Sequence, residues 1–205
     1  MKKSVYVLLG ILTIALLLGG SAFADDTYMV TYYSNANTTN APDGTLRFTN
    51  TGATVAAGVS QTLNANIYVF DDTEELQECC ACQVSPDGLL SESVNQQLTG
   101  NNLLHTKLTA GVIKVVVSTG TPDPTSITGL AHGMAGWMTQ TQGSSVTLKN
   151  GKWTGPFVTT QSPLWESDLS AAELTALTSS CSEVQSLGSG VGRGMCGCTK
   201  EGQDF

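Results

Sequence analysis

The 205-residue sequence carries 9 Lys and Arg against 17 Asp and Glu, a formal net charge of −8, and only 13% of its residues are charged. An acidic chain with scattered cations lacks the basic footprint that nucleic acid or anionic lipid demands, so both partner classes are excluded as expectations. Thr and Ser are frequent and apolar runs are short, a composition that favours strands joined by polar turns.

The chain begins with Lys2 and Lys3, an apolar run over residues 5–18, and then Ala22-Phe23-Ala24. That order is the pattern of an export signal, with a charged start, an apolar core and small residues at the cleavage site. The run is shorter than the roughly 20 apolar residues a membrane helix needs. We expect cleavage after Ala24 and a secreted or periplasmic protein over residues 25–205, with 7 of the 9 basic residues remaining. The 181 residues of 25–205 suit one domain. A chain of this size buries roughly 70% of its unfolded surface, so its core does not depend on disulfides.

In chain order, residues 28–33 (YMVTYY) predict a strand and residues 35–40 a polar linker. Asp43-Gly44 is a turn into a strand over 45–49, where Leu46 and Phe48 share one face. Residues 66–70 (NIYVF) make the strongest strand by composition, and the acids over 71–78 read as a solvated turn or short helix. Ser85-Pro86-Asp87-Gly88 is a turn in which Pro presets φ and Gly accepts positive φ. Residues 112–117 (VIKVVV) are almost continuously β-branched and predict a central, buried strand. Pro122-Asp123-Pro124 marks a loop, and Asn150-Gly151 between the flanks of 146–153 predicts a type I′ hairpin. Ser170-Ala171-Ala172-Glu173 fits a capping box. Leu174, Leu177, Cys181, Val184 and Leu187 follow at three- and four-residue spacing, one apolar stripe of a helix with Gly188 as its stop. The glycine-rich residues 188–194 form a flexible tail by composition.

The six cysteines are Cys79, Cys80, Cys82, Cys181, Cys196 and Cys198. Export and an even count point to oxidised thiols. Neighbouring Cys79 and Cys80 are poorly placed to bond to each other, and in a strand they point to opposite faces, whereas Cys80 and Cys82 share one. The economical solution joins the early three to the late three and staples helix and tail to the segment after Phe70. Six cysteines allow 15 connectivities, and pairing within each half stays open. The sharper alternative is a thiolate metal site for copper or zinc, built from Cys79, Cys80, Cys82, Cys196 and Cys198. Its spacing is not that of a zinc ribbon, and an oxidising compartment removes the thiols it needs.

His105 and His132 are the only histidines. A metal centre or a hydrolase base would need them to converge with other groups, and no Gly-x-Ser-x-Gly elbow is present. Asp72 and Glu75 fit a helix cap as well as a carboxylate pair for glycoside hydrolysis. Trp137, Trp153 and Trp165 are expected in or near the core, with a sugar-binding face as the alternative.

Several segments together resemble a family of uncharacterised secreted proteins of acidobacterial type. They are residues 67–71 (IYVFD), 75–82 (ELQECCAC), 85–90 (SPDGLL) and 169–174 (LSAAEL), with Cys181, Gly188-Ser189-Gly190 and Cys196-x-Cys198. The similarity runs from about Thr45 to Cys198. It implies a secreted disulfide protein and carries no activity. It also implies two further cysteines near positions 64 and 122, where this chain has Asn64 and Pro122. Their joint absence fits one missing bridge.

The expectation is a single mostly-β, sandwich-like antiparallel domain with one C-terminal helix, stapled by disulfides. Its function class is a non-enzymatic extracellular or cell-surface module. It has a protein or glycan partner or associates with itself, and uses no cofactor. The alternatives are a thiolate metal or redox protein and a carbohydrate-binding or hydrolytic domain.

Overall fold

In the computed structural model, which describes residues 27–52, 61–143, 148–149, 152–153 and 156–199, the β-branched run at 112–117 is the middle of a five-stranded sheet. Residues 1–24, expected to be an export signal, lie outside the described residues. The strands are β1 (Tyr28–Ser34), β2 (Thr45–Asn50), β3 (Leu63–Phe70), β4 (Leu76–Val84), β5 (Leu89–Ser93), β6 (Ala110–Ser118) and β7 (Met134–Gly143). They continue with β8 (Leu148–Lys149), β9 (Lys152–Trp153), β10 (Phe157–Pro163) and β11 (Trp165–Glu166), and one helix, α1, spans Ala171–Gly188. The first sheet has the order β11-β1-β6-β3-β4 and the second β10-β7-β2-β5. Every strand pairing in both sheets is antiparallel.

Side-chain alternation sorts the residues into two cores. Met29, Ile67, Val69, Cys80, Cys82, Ile113 and Val115 on the first sheet meet Leu46, Phe48, Leu90, Met134 and Met138 on the second, making the main core. The alternate residues Tyr28, Tyr68, Cys79 and Val116 form a second cluster under Leu177, Cys181 and Val184 of α1. The molecule is therefore three layers deep, with helix on sheet on sheet. The mostly-β sandwich with one C-terminal helix is the architecture the composition predicts.

Geometry corrects two local expectations and, for the acids after Phe70, selects the turn over the short helix. In the 85–88 turn, the positive φ belongs to Asp87 (60°), and Gly88 N–H donates to Ser85 O at 2.9 Å. The acids after Phe70 do not cap a helix. They form the β3–β4 turn, where Asp71 Oδ1 accepts from Thr73 N (2.9 Å), Thr73 Oγ1 (2.8 Å) and Glu75 N (3.0 Å). These bonds hold the Asp71 carboxyl below its ordinary range although burial pushes it the other way. Only half of the capping box at α1 forms. Ser170 Oγ accepts from Glu173 N at 3.1 Å, while the Glu173 carboxylate reaches out to Lys114 Nζ at 2.7 Å.

The helix also ends differently. Leu187 is 71% exposed, and Gly188 takes the inward position on the stripe. At roughly 100° per residue, Leu187 falls about 80° off the direction of Leu177 and Gly188 about 20° from it. A side chain could not occupy that inward position, because a Cβ on Gly188 would lie 2.0 Å from Arg193 O. The left-handed stop comes later, at Gly192 (φ 68°), after the 3-10 turn Ser189–Val191. The predicted hairpin appears as β8 paired with β9, Lys149 opposite Lys152, while Asn150 and Gly151 lie outside the described residues.

Candidate functional site

The cysteines converge on β4, the edge strand of the first sheet, and the pleat decides which partner each one meets. Cys79 faces the helix layer and is bonded to Cys181 of α1. Cys80 and Cys82 face the other way and are bonded to Cys196 and Cys198. The early three cysteines are thus joined to the late three. The chain leaves α1 on one face of β4, rounds its edge, and bonds again on the other face, so β4 is gripped from both sides.

The edge crossing is made by backbone. Cys79 N–H donates to Gly194 O at 3.1 Å, and Gly194 N–H donates to Asn101 O at 2.9 Å. Gly194 has φ 81°, and a Cβ there would lie 2.7 Å from Val184 Cγ1 and 2.8 Å from Val184 O. Gly194→Ala is therefore expected to lower the unfolding free energy by about 2 kcal/mol, combining positive-φ strain with overpacking. Denaturant unfolding of the oxidised protein checks this, and an unchanged midpoint would contradict the packed crossing.

Two buried carboxyls hold the tail in place. Glu78 lies on the same face of β4 as Cys80 and Cys82 and is 0% exposed. Its Oε1 accepts from Asn101 N at 3.0 Å, and Asn101 Nδ2 in turn donates to Met195 O at 3.0 Å. Glu92 of β5, also fully buried, accepts at Oε1 from Thr199 N (2.9 Å) and Thr199 Oγ1 (3.1 Å). In both glutamates Oε2 is buried without a hydrogen-bond partner. Burial pushes the Glu78 carboxyl up to about 8 and the Glu92 carboxyl up to about 7, against the opposing effect of those hydrogen bonds. The tail thus ties β4 of one sheet to β5 of the other and closes that side of the sandwich.

The cysteine sulfurs themselves are crowded. Cys80 Sγ and Cys82 Sγ are 3.9 Å apart, and the sulfurs of Cys80, Cys82 and Cys198 all lie within 4.8 Å of one another. Cys80, Cys82 and Cys196 are buried, whereas Cys198 is exposed. It borders an open depression of about 530 Å³ shared with Cys82, Gln83, Pro122 and Thr199. Because all six sulfurs are bonded in pairs, the oxidised protein offers no thiolate to a metal.

The other candidate residues are dispersed over the fold. His105 sits in the turn closed by its own N–H to Asn102 O, with φ 54°. His132 Nδ1 lies 3.0 Å from Thr27 Oγ1. Trp137 is half-buried, and Trp165 is 64% exposed with its ring 6.3 Å from that of Tyr32. Asn64, one of the two positions where the resemblance implies a cysteine, instead donates from Nδ2 to Gly120 O at 3.1 Å. Sequence reasoning missed Glu78 and Glu92. The period-two match of Glu78 with Cys80 and Cys82 is the signal that would have placed it on the sulfur-bearing face.

Among the described residues no helix is long and apolar enough to cross a membrane. Comparison of the chain with protein-family models, with curated protein sequences and with solved structures produced no match.

Proposed function

We propose that this is an exported, non-enzymatic interaction module that recruits an extended polypeptide by strand addition at β10. One observation carries the reading, namely how the sheet edges are treated. At one side of the sandwich the tail covers β4 through the Gly194 bond, and Thr199 Oγ1 donates to Ser91 O of β5 at 2.7 Å. At the other side β11 is two residues long. The outer edge of β10 is the long one that remains, and no described strand pairs with it.

β10 reads Phe-Val-Thr-Thr-Gln-Ser-Pro, seven residues without a charge, with Val158 45% exposed. An uncharged edge of that length is the feature that proteins usually block with Lys or a mid-strand Pro, because unpaired N–H and C=O groups recruit another strand; here the one proline, Pro163, stands at the last position and leaves residues 157–162 unblocked. Main-chain bonds would supply affinity and alternate side chains specificity. Three disulfides fit an oxidising compartment, and the export signal and the resemblance to secreted proteins support the same extracellular setting.

A peptide of residues 157–163 serves as the probe strand. The oxidised protein is expected to bind it and to slow amide exchange within β10. Thr160→Lys, which places a charge mid-strand, is expected to weaken binding at least about tenfold with unfolding unchanged. Absence of binding and of protection would sink the reading. A second reading, carbohydrate binding, draws on the exposed Trp165–Tyr32 pair. It is distinguished by whether oligosaccharides change tryptophan emission while β10 exchange stays the same.

A further inference from the structure

The tail residues that flank Cys196 and Cys198 are pinned by hydrogen bonds that involve no sulfur. Met195 O accepts from Asn101 Nδ2, Gly197 N donates to Gln97 O at 3.0 Å, and Thr199 N donates to Glu92. Residues 195, 197 and 199 hold the strap, while the alternate residues 196 and 198 carry the sulfurs toward β4. Opening the two inner bridges therefore leaves four thiols facing one another in register.

Their spacing suits a metal. Zn–S bonds of about 2.3 Å in a tetrahedron put neighbouring sulfurs about 3.8 Å apart. Cys80 Sγ and Cys82 Sγ already stand 3.9 Å apart, set by the pleat of β4 and not by a bond between them. Cys198 Sγ is within 4.8 Å of both, and Cys196 Sγ is bonded to Cys80 Sγ. Bonded sulfurs stand about 2 Å apart in any disulfide, so widening each pair to a tetrahedral edge moves the tail by about 2 Å.

We propose that reduction of Cys80–Cys196 and Cys82–Cys198 converts the inner half of the clamp into a four-thiolate site for a thiophilic cation such as Zn²⁺ or Cu⁺. The reductant is a dithiol. For each bridge, one thiolate of the reductant attacks a sulfur, the S–S bond breaks, and the second thiol of the reductant releases the protein as two cysteine thiols and a cyclic disulfide. Two electrons and two protons pass to the protein per bridge. Zinc then displaces one proton from each of the four thiols, leaving a Zn(S-Cys)₄ centre with a net charge of −2. The depression beside exposed Cys198 gives the reductant and the ion their approach. The outer bridge between Cys79 and Cys181, both 0% exposed beneath α1, stays closed and keeps the tail tethered.

The test uses the oxidised chain, opened by graded reduction with a phosphine, which competes weakly for zinc. Peptide mapping is expected to show four thiols with Cys79–Cys181 intact. Co²⁺ added to that species is expected to give thiolate charge-transfer and tetrahedral d–d bands, and Zn²⁺ to replace it at one ion per chain. Cys82→Ser with Cys198→Ser is expected to weaken zinc binding by more than about 100-fold, since two ligands are gone. Cys79→Ser with Cys181→Ser keeps all four ligands and is expected to take up one zinc per chain with the same tetrathiolate bands, but more weakly than the parent because the tether is gone. If reduction unfolds the chain, zinc alone must restore the native near-ultraviolet circular dichroism. Lack of tetrathiolate bands in a folded reduced chain, no restoration by zinc in an unfolded one, or equal binding by the Cys82/Cys198 variant would each overturn the proposal.

Discussion

Replacing all six cysteines by alanine is expected to leave the chain unfolded at neutral pH, while removing a single bridge leaves it folded. The bridges span 102, 116 and 116 residues, and in the chain-entropy account the first one formed is worth about 5 kcal/mol. The others close much smaller rings, because they run side by side. With Cys80–Cys196 in place, Cys79–Cys181 closes a ring of roughly 16 residues and adds about 3 kcal/mol. With both of those in place, Cys82–Cys198 closes a ring of roughly four residues and adds about 2 kcal/mol. The three together are of the order of 10 kcal/mol, comparable to the whole stability of a typical domain, so a chain long enough to bury a core by area alone is nonetheless expected to unfold without them, contrary to the expectation from length. Equilibrium denaturation of Cys82→Ala/Cys198→Ala, Cys79→Ala/Cys181→Ala and the six-fold variant checks this order. A cooperative, native-like transition in the six-fold variant would contradict it.

Glu78→Gln is expected to raise stability at pH 7 by about 3 kcal/mol and to remove much of its pH dependence. The folded protein holds this carboxyl's proton up to about pH 8, whereas the unfolded chain releases it near the ordinary 4.5. Between those values the folded state binds more protons, so stability falls as pH rises through the window, by at most 1.36 kcal/mol per pH unit. Below about pH 4.5 both states are protonated and this loss is absent; above about pH 8 it is complete. Glutamine keeps the acceptor for Asn101 N–H and carries no charge at any pH. Glu92 acts in the same sense over the narrower window from 4.5 to about 7. Thermal unfolding of the parent is expected to occur at progressively lower temperature from pH 5 to pH 8. Glu78→Gln should show a shallower fall and the double variant with Glu92→Gln a nearly flat profile. A parent curve that rises with pH would contradict the buried, protonated state.

The sequence made part of this structure legible for identifiable reasons. β6 announces itself because a strand covered on both faces favours β-branched residues, and residues 112–117 supply them at every position but Lys114. β1, β2 and β3 carry enough aromatic and aliphatic residues to be recognised. β7 does not, because its first inward positions are filled by Met134, Gly136 and Met138 and its second half is mostly Thr and Gln. A glycine stands at 136 because a Cβ would lie 3.0 Å from Phe48 Cε1, a tertiary contact that no local pattern encodes. β10 is inconspicuous for the opposite reason, being exposed over most of its length.

At the clamp, alternation alone put Cys79 on one face and Cys80 with Cys82 on the other, and the structure agrees. The exit of α1 departs from the helical pattern because spacing treats Leu187 as part of the stripe, whereas the returning backbone at Arg193 admits only a glycine at the inward position. The buried glutamates were hidden by their company. Glu78 closes a run of acids whose middle members, Asp72, Glu74 and Glu75, are exposed, and only the strand register separates it from them.

Disulfide assignment on the unreduced protein tests the clamp most directly. Proteolysis with fragmentation that cleaves S–S bonds, combined with stepwise reduction and alkylation, resolves neighbouring Cys79 and Cys80. The account predicts three links, Cys79–Cys181, Cys80–Cys196 and Cys82–Cys198, with Cys82–Cys198 the first to open. A link between Cys196 and Cys198, or Cys80 joined to Cys181, would mean that β4 is not gripped from both faces and would contradict the account.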